Sequence, residues 1–360
     1  MYSKYTGRMN KRNIQAIQYF FIHFFLEVVS FYVVMSYIRH DMIWMLALLY
    51  DFFAFVPQGI FGYFKDRGQK LNLAALGSLM TLLSLALMML KRSPAVIILI
   101  LAAGNCMIHI QGAETTLHGT GGRITPSAVF VSGGSFGVVT GKLLSGMVPI
   151  PFIMAVNAVM ILLILCTAIL DRDNPAEEKT AFKFVKDDLK AGKVILLATI
   201  VVAVRSFMGF VVPTGWQETA MHTVFLYSSM GIGKAAGGIL VDRIGARKTS
   251  LISTLGALPF LLLGNTIMGV SLIGIMLFSM TMAITLGLIV SAIRDYPGVA
   301  FGYTTIGLFL GVLPVFFVSF GSVYIKCILL AVLTVVCIPV LLGLTEKPNS
   351  KKIISEGDNV

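Results

Sequence analysis

The chain is poor in charge. Asp, Glu, Lys and Arg make up 12% of its 360 residues, about half the share of a soluble domain. So few charges cannot solvate the surface of a globule in water, which excludes an ordinary soluble protein. Polar stretches are scarce too, and the one of any length runs from Asp171 to Lys193. Cysteine is rare: Cys106, Cys166, Cys327 and Cys337 all fall in apolar runs without metal spacing, so they read as packing residues rather than ligands or disulfides. Also missing are a Gly-rich loop ending in Lys-Ser/Thr, a metal-spaced His/Cys set and a nucleophile elbow. The run Gly119, Thr120, Gly121, Gly122 is too short for a phosphate cradle. ATP-driven work, enzymatic chemistry, cofactors and metals are therefore not expected.

What the chain has is apolar surface, with 57% hydrophobic residues and a mean hydropathy of +0.88. Stretches of about 20 apolar residues are long enough to cross a bilayer. Twelve are found, near 14–37, 42–64, 71–90, 95–113, 125–144, 149–170, 194–213, 219–241, 249–268, 271–293, 298–320 and 323–345. The first is too long for a signal-peptide core and lacks a small-residue cleavage site, so it is retained as a helix. An even count puts both termini on one side. With the amino terminus inside, most of the 28 basic residues fall in cytoplasmic segments, as the positive-inside rule requires. The net charge of +11 is then topology, with anionic lipid head groups as its partners and no role for nucleic acid. The expected location is the cytoplasmic membrane, with a monomeric chain.

The polar stretch at 171–193 divides the chain into a half at 1–170 and a half at 194–346, followed by a tail at 347–360. Each half carries a short basic turn after its second apolar stretch. The better kept one holds Gly238, Asp242, Arg243, Gly245, Arg247 and Lys248, and the shorter one holds Gly62, Asp66, Arg67 and Gly68. A glycine ahead of the turn permits close helix packing, and a second glycine makes the reversal. The aspartate suits backbone amides at the start of an adjacent helix, or a basic residue across a seam between halves.

These turns, placed between apolar stretches, resemble the signature of the major facilitator superfamily of secondary transporters. The resemblance implies an all-α membrane protein of twelve transmembrane helices in two six-helix halves. It also implies a small-molecule substrate held between the halves near the midplane, with the turns acting as a latch. His118 and Arg123, followed by Gly133, Gly134, Phe136, Gly137 and Gly141, look like the fourth loop and fifth helix of fosmidomycin-resistance-type exporters. His23 and the run Asp295, Tyr296, Pro297, Gly298 sit where that subfamily has comparable residues. This sequence has Gly119 and Thr120 where the subfamily has Pro-Glu, and Val138 where a proton antiporter's fifth helix has proline. The subfamily implies export of a small organic compound, and His118 and Arg123 join the expected latch.

A charge at the centre of a membrane helix costs a few kcal/mol, about 3 on insertion scales, and normally faces a cavity or a partner. Glu27 lies one turn from His23 on the same face, so the pair suits proton coupling or a structural hydrogen bond tying helices together. Asp51 in the second stretch is a further coupling candidate, with Gln58 nearby facing the substrate cavity. Arg205 in the seventh suits an anionic ligand through its planar fork of donors, or a gate with Asp51. Asn105 is placed in the cavity. Lys234 reads as reaching the cytoplasmic boundary by its long stem. His109 and Glu114 read as a structural gate at the end of the fourth stretch, with Glu114 pairing Arg123 or the loop cations. The Gly stripe of the fifth stretch reads as tight packing or as a cavity seal. The sequence thus points to proton-coupled efflux of an amphipathic or anionic solute, with uptake by symport, a sensor or a lipid-translocating protein as the other readings.

Overall fold

The computed structural model describes residues 2–38, 40–171 and 182–346, with backbone alone for 2–11, 170 and 171. Arg39, part of the linker at 171–193 and the tail at 347–360 lie outside the described residues.

Every expected apolar stretch is helical. The order is α1 Tyr2–Ser36, α2 Ile43–Phe55, α3 Gln58–Asp66, α4 Leu73–Met89, α5 Pro94–Leu117, α6 Thr125–Leu144 and α7 Ile150–Asp171. There follow α8 Ala191–Val211, α9 Ala220–Ile244, α10 Ala246–Leu251, α11 Ala257–Leu263, α12 Met268–Ser279, α13 Thr281–Ala292, α14 Pro297–Val312 and α15 Val323–Leu344. Several stretches are broken within their length. Pro57 separates α2 from α3: it has no N–H to give the helix, and the Gln58 side chain donates to the Ala54 carbonyl at 2.7 Å. A π-turn at Ile252–Gly256 joins α10 to α11. Among the described residues ten segments are long and apolar enough to cross a bilayer. Two of the twelve expected fall short because α4 has 17 residues and the π-turn divides the ninth stretch.

Packing repeats along the chain. In the amino-terminal set α1 packs on α6, α5 and α7, and α4 packs on α5 and α7; in the carboxy-terminal set α8 packs on α14, α13 and α15, and α11 packs on α12 and α15. The sets meet along two main seams, α3 with α14 and α6 with α9. Each seam pairs the second stretch of one set with the fifth stretch of the other. One apolar core spans both sets and includes Tyr19, Ile22, Ala128 and Phe130 together with Val241, Ala283, Leu286 and Phe301. A second core, around Val29, Tyr32, Ile97 and Leu101, belongs to the amino-terminal set alone. A third, around Met208, Trp216, Leu261 and Ile275, belongs to the other. The sets share a core near the signature turns, and at the opposite end each has a core of its own while the α6–α9 seam continues to Lys142, whose Nζ donates to Tyr227 Oη at 2.7 Å.

Leu162, Leu165 and Ile169 on α7 and Val332, Val335 and Val336 on α15 are exposed. Apolar outer faces of this kind suit lipid, while the helices satisfy their own backbone groups. After the linker, residues 182–190 return along the carboxy-terminal set. Phe184 N donates to Ser291 Oγ at 3.2 Å, Lys186 N to the Leu344 carbonyl and Glu346 N to the Phe184 carbonyl.

Candidate functional site

Glu27 stands at the centre of a buried polar cluster in the amino-terminal set. Its carboxylate Oε1 lies 3.6 Å from His23 Nε2 and 3.8 Å from His109 Nε2. Asn105 Nδ2 donates to the same oxygen at 2.9 Å and reaches Tyr50 Oη at 2.9 Å and Ser30 Oγ at 3.2 Å. The imidazole orientations follow from their other nitrogens. Nδ1 of His23 faces the Phe130 carbonyl at 3.0 Å, and Nδ1 of His109 faces the Asn105 carbonyl at 3.0 Å. A carbonyl only accepts, so each Nδ1 carries the hydrogen, and in the neutral rings each Nε2 presents a lone pair to the carboxylate. Three acceptors then converge on one space, an arrangement completed by a proton shared among them.

Two imidazoles and a carboxylate are also transition-metal donor types. Among the described residues this is the one place where three such ligands converge, all within 4.8 Å of one another. Neither Nε2 is within hydrogen-bond distance of Oε1, so either a proton or a metal would draw the three groups closer together.

The glycine stripe of α6 makes this cluster possible. A Cβ at Gly134 would overlap the His23 ring, and one at Gly137 would overlap the Phe24 carbonyl and Glu27 Cβ. Small residues bring α1 against α6, and this packing sets both His23 and Glu27 in the interior.

His109 belongs to the cluster and is not a boundary residue. The apolar run ends near residue 113, but α5 continues to Leu117, because its later polar groups are satisfied locally. Thr116 Oγ1 donates to the Gly112 carbonyl at 2.7 Å, and Gln111 Nε2 donates to Glu114 at 3.1 Å. The pairing expected between Glu114 and Arg123 is not formed among the described residues. Arg123 instead donates to the Thr120 carbonyl and to Asn13 Oδ1. Asn105 sits in the cluster. Gln58 is fully buried at the break between α2 and α3, where its Nε2 donates back to the Ala54 carbonyl of α2. Asp51 is half-buried and forms no hydrogen bond or ion pair among the described residues.

Arg205 occupies the carboxy-terminal set. It is 9% exposed, its guanidinium lies over the Phe278 ring at 5.7 Å, and its Nε is buried without a hydrogen-bond partner. Thr254, Thr281 and Thr334 line a space of about 10 Å³ beside it, room for about one water. No gate with Asp51 is closed here. Lys234 is half-buried on α9.

The signature turns close the seams reciprocally. Asp66 accepts from Gly298 N and Val299 N, both at 2.9 Å, at the start of α14. Asp242 accepts from Ile124 N and Thr125 N, both at 2.9 Å, at the start of α6, and also from the Thr125 hydroxyl. Each carboxylate thus neutralises the positive end of a helix in the other set. Gly62 packs directly on Gly298, and Gly238 on Ala128 and Thr125. Gly68 and Gly245 turn the chain with φ of 87° and 86°, values that favour glycine. Arg67 lies over the rings of Tyr63 and Tyr296, on opposite sides of the seam. Arg247 Nη1 donates to the Leu342 carbonyl at 2.6 Å, within its own set. Arg243 and Lys248 are exposed, and His118 is half-buried at the end of α5.

No family model matches the sequence, and no curated protein matches it. Solved structures do. FucP, a major facilitator superfamily transporter in the outward conformation, superposes with a TM-score of 0.64 at 15% identity, over 91% of this chain and 97% of that one. A variant of the E. coli fucose:proton symporter FucP gives 0.62 at 15% identity, over 91% and 97%. The human organic anion transporter MFSD10 (TETRAN) gives 0.61 at 14% identity, over 91% and 99%. The chain has the fold of the major facilitator superfamily.

Proposed function

We propose that this protein is a secondary active transporter, not an enzyme, carrying a small organic solute across the cytoplasmic membrane by alternating access. The reciprocal seams carry the reading. Two sets of helices, each with a core of its own, meet along mirrored seams, the geometry of two bodies that rock about a site between them. The halves are 1–170 and 194–346, with twelve crossings, the termini in the cytoplasm and the linker at 171–193 beside them. Asp66, Asp242 and their neighbouring glycines and arginines latch the cytoplasmic end.

Proton coupling falls to Glu27, His23 and His109, with Asn105 holding the carboxylate and Asp51 nearby. Arg205 faces the solute. The coupling cluster and the solute cation lie in opposite halves, so a change of charge in one is felt by the other when the cavity closes. Export, the direction implied by the exporter resemblance, requires solute and proton to compete. Uptake driven by the proton gradient requires them to assist one another.

Counterflow tests the transport reading. Proteoliposomes preloaded with unlabelled benzoate, succinate or fucose should accumulate the labelled form of at least one of them. Absence of counterflow throughout, together with spin-label distances across the signature end that never lengthen, would identify a sensor rather than a carrier.

A further inference from the structure

We infer that His23, Glu27 and His109 form a binding site for a divalent transition-metal ion of the Zn²⁺ class, held inside the amino-terminal set. The inference goes beyond the transport reading, and the binding itself does not depend on it.

The donors already converge on one point. Nε2 of His23, Nε2 of His109 and a carboxylate oxygen of Glu27 lie within 4.8 Å of one another, and all three residues are buried. With Nδ1 of each ring given to a backbone carbonyl, both Nε2 atoms offer lone pairs. One proton bridges two acceptors and leaves the third without a donor, whereas a dication takes all three lone pairs at once. The spacing agrees with the larger demand. Ligands on a tetrahedral ion with bonds of about 2.1 Å stand about 3.4 Å apart, while N–H···O partners stand about 2.9 Å apart. The two Nε2 atoms are 3.6 and 3.8 Å from Oε1, nearer the first value than the second.

The next layer of contacts also suits an ion. A ligating imidazole gives its other N–H to a carbonyl or carboxylate, which fixes its tautomer, and a ligating carboxylate is itself hydrogen-bonded. His23 Nδ1 meets the Phe130 carbonyl of α6 and His109 Nδ1 meets the Asn105 carbonyl of α5, both at 3.0 Å. Asn105 Nδ2 donates to Oε1 at 2.9 Å, which leaves that oxygen a second lone pair for the ion. Two imidazoles and one carboxylate favour first-row transition ions over Mg²⁺ and Ca²⁺, which take more oxygen ligands. Three protein ligands leave a fourth position for water. Spacing in the sequence does not reveal this set, because His109 comes from α5 and the other two from α1.

The other set of helices supplies part of the wall. The Phe301 ring of α14 lies against His109 and Phe130, with centroids 6.4 and 6.2 Å away. Separation of the sets lifts that ring from the histidine and gives an ion a way in. An ion on Oε1 takes the place of the coupling proton; this consequence, unlike the binding, rests on the proposed function.

The test uses purified full-length protein stripped with a chelator, and Zn²⁺, Co²⁺ and Mg²⁺ as probes. Titration calorimetry should show Zn²⁺ bound one to a chain, and no comparable binding of Mg²⁺. Co²⁺ should give the intense visible absorption of a four- or five-coordinate ion, without the charge-transfer band that a thiolate from Cys106, Cys166, Cys327 or Cys337 would add. His23→Gln, Glu27→Gln and His109→Gln should each weaken Zn²⁺ binding by about 100-fold or more, since even outer-layer changes cost about 10- to 100-fold. Where these variants do not purify, His109→Cys keeps a ligand, and it should retain Co²⁺ and add the thiolate band. Unaltered Zn²⁺ affinity in the Gln variants, equal binding of Mg²⁺, a thiolate band in the unsubstituted protein, or no binding of Zn²⁺ overturns the inference. Counterflow in the metal-free protein reads the transport proposal separately, and its absence would strike that reading and leave the site standing.

Discussion

The two sets of helices bury charge in opposite ways. Glu27 is crowded, with two imidazoles and an amide at one oxygen, whereas Arg205 has an aromatic face, no carboxylate among the described residues, and three neighbouring hydroxyls that donate to backbone carbonyls. Under the proposed function the first arrangement is where a proton would bind and the second is where the solute would meet the chain.

The largest test of this contrast is Glu27→Gln. It keeps the shape and removes the site of the exchangeable charge, so solute accumulation driven by a pH gradient should fall by about 100-fold, while counterflow at equal pH persists. Unchanged accumulation would remove the cluster from coupling. On the other side, Arg205→Gln should weaken anion affinity by about 30-fold, the worth of roughly 2 kcal/mol for a charged hydrogen bond. Equilibrium binding measures it, and an unaltered affinity would make Arg205 a structural residue. Gly134→Ala should lower thermal stability by about 1 to 3 kcal/mol through overpacking against His23. Gly192→Ala, which meets nothing within 4 Å, serves as the control and should not. The smallest effect separates the two latches. Asp242 has one more donor than Asp66, the Thr125 hydroxyl, so Asp242→Asn should slow transport more than Asp66→Asn, with each costing about 1 kcal/mol. Equal rates in the two variants would show the turns to be equivalent.

The apolar runs and the turns were readable in sequence because both are local. Hydropathy reports the solvent, and the pattern around Asp66 and Asp242 lies within a few residues of one helix end. The pair His23 and Glu27 was also local, one turn apart. His109 was misplaced because the apolar run stops before the helix does: Gln111, Glu114 and Thr116 satisfy one another or the backbone and let α5 continue. Nothing local shows that the Glu114 and Arg123 pairing gives way to bonds with Thr120 and Asn13, or that Gln58 turns back to Ala54. Those outcomes depend on which surfaces the fold brings together.

The strap at 182–190 gives the protein a fixed reference point. Its bonds to Ser291, Leu344 and Glu346 bind it to one set of helices, so it travels with that set however the other moves. A fluorophore at Lys186 paired with one at Lys65 would read the relative motion directly, and the same fluorophore paired with one at Lys248 would hold constant. The chain thus carries a ruler with a built-in zero, by which opening at the end of the signature turns can be timed in a single molecule without a substrate present.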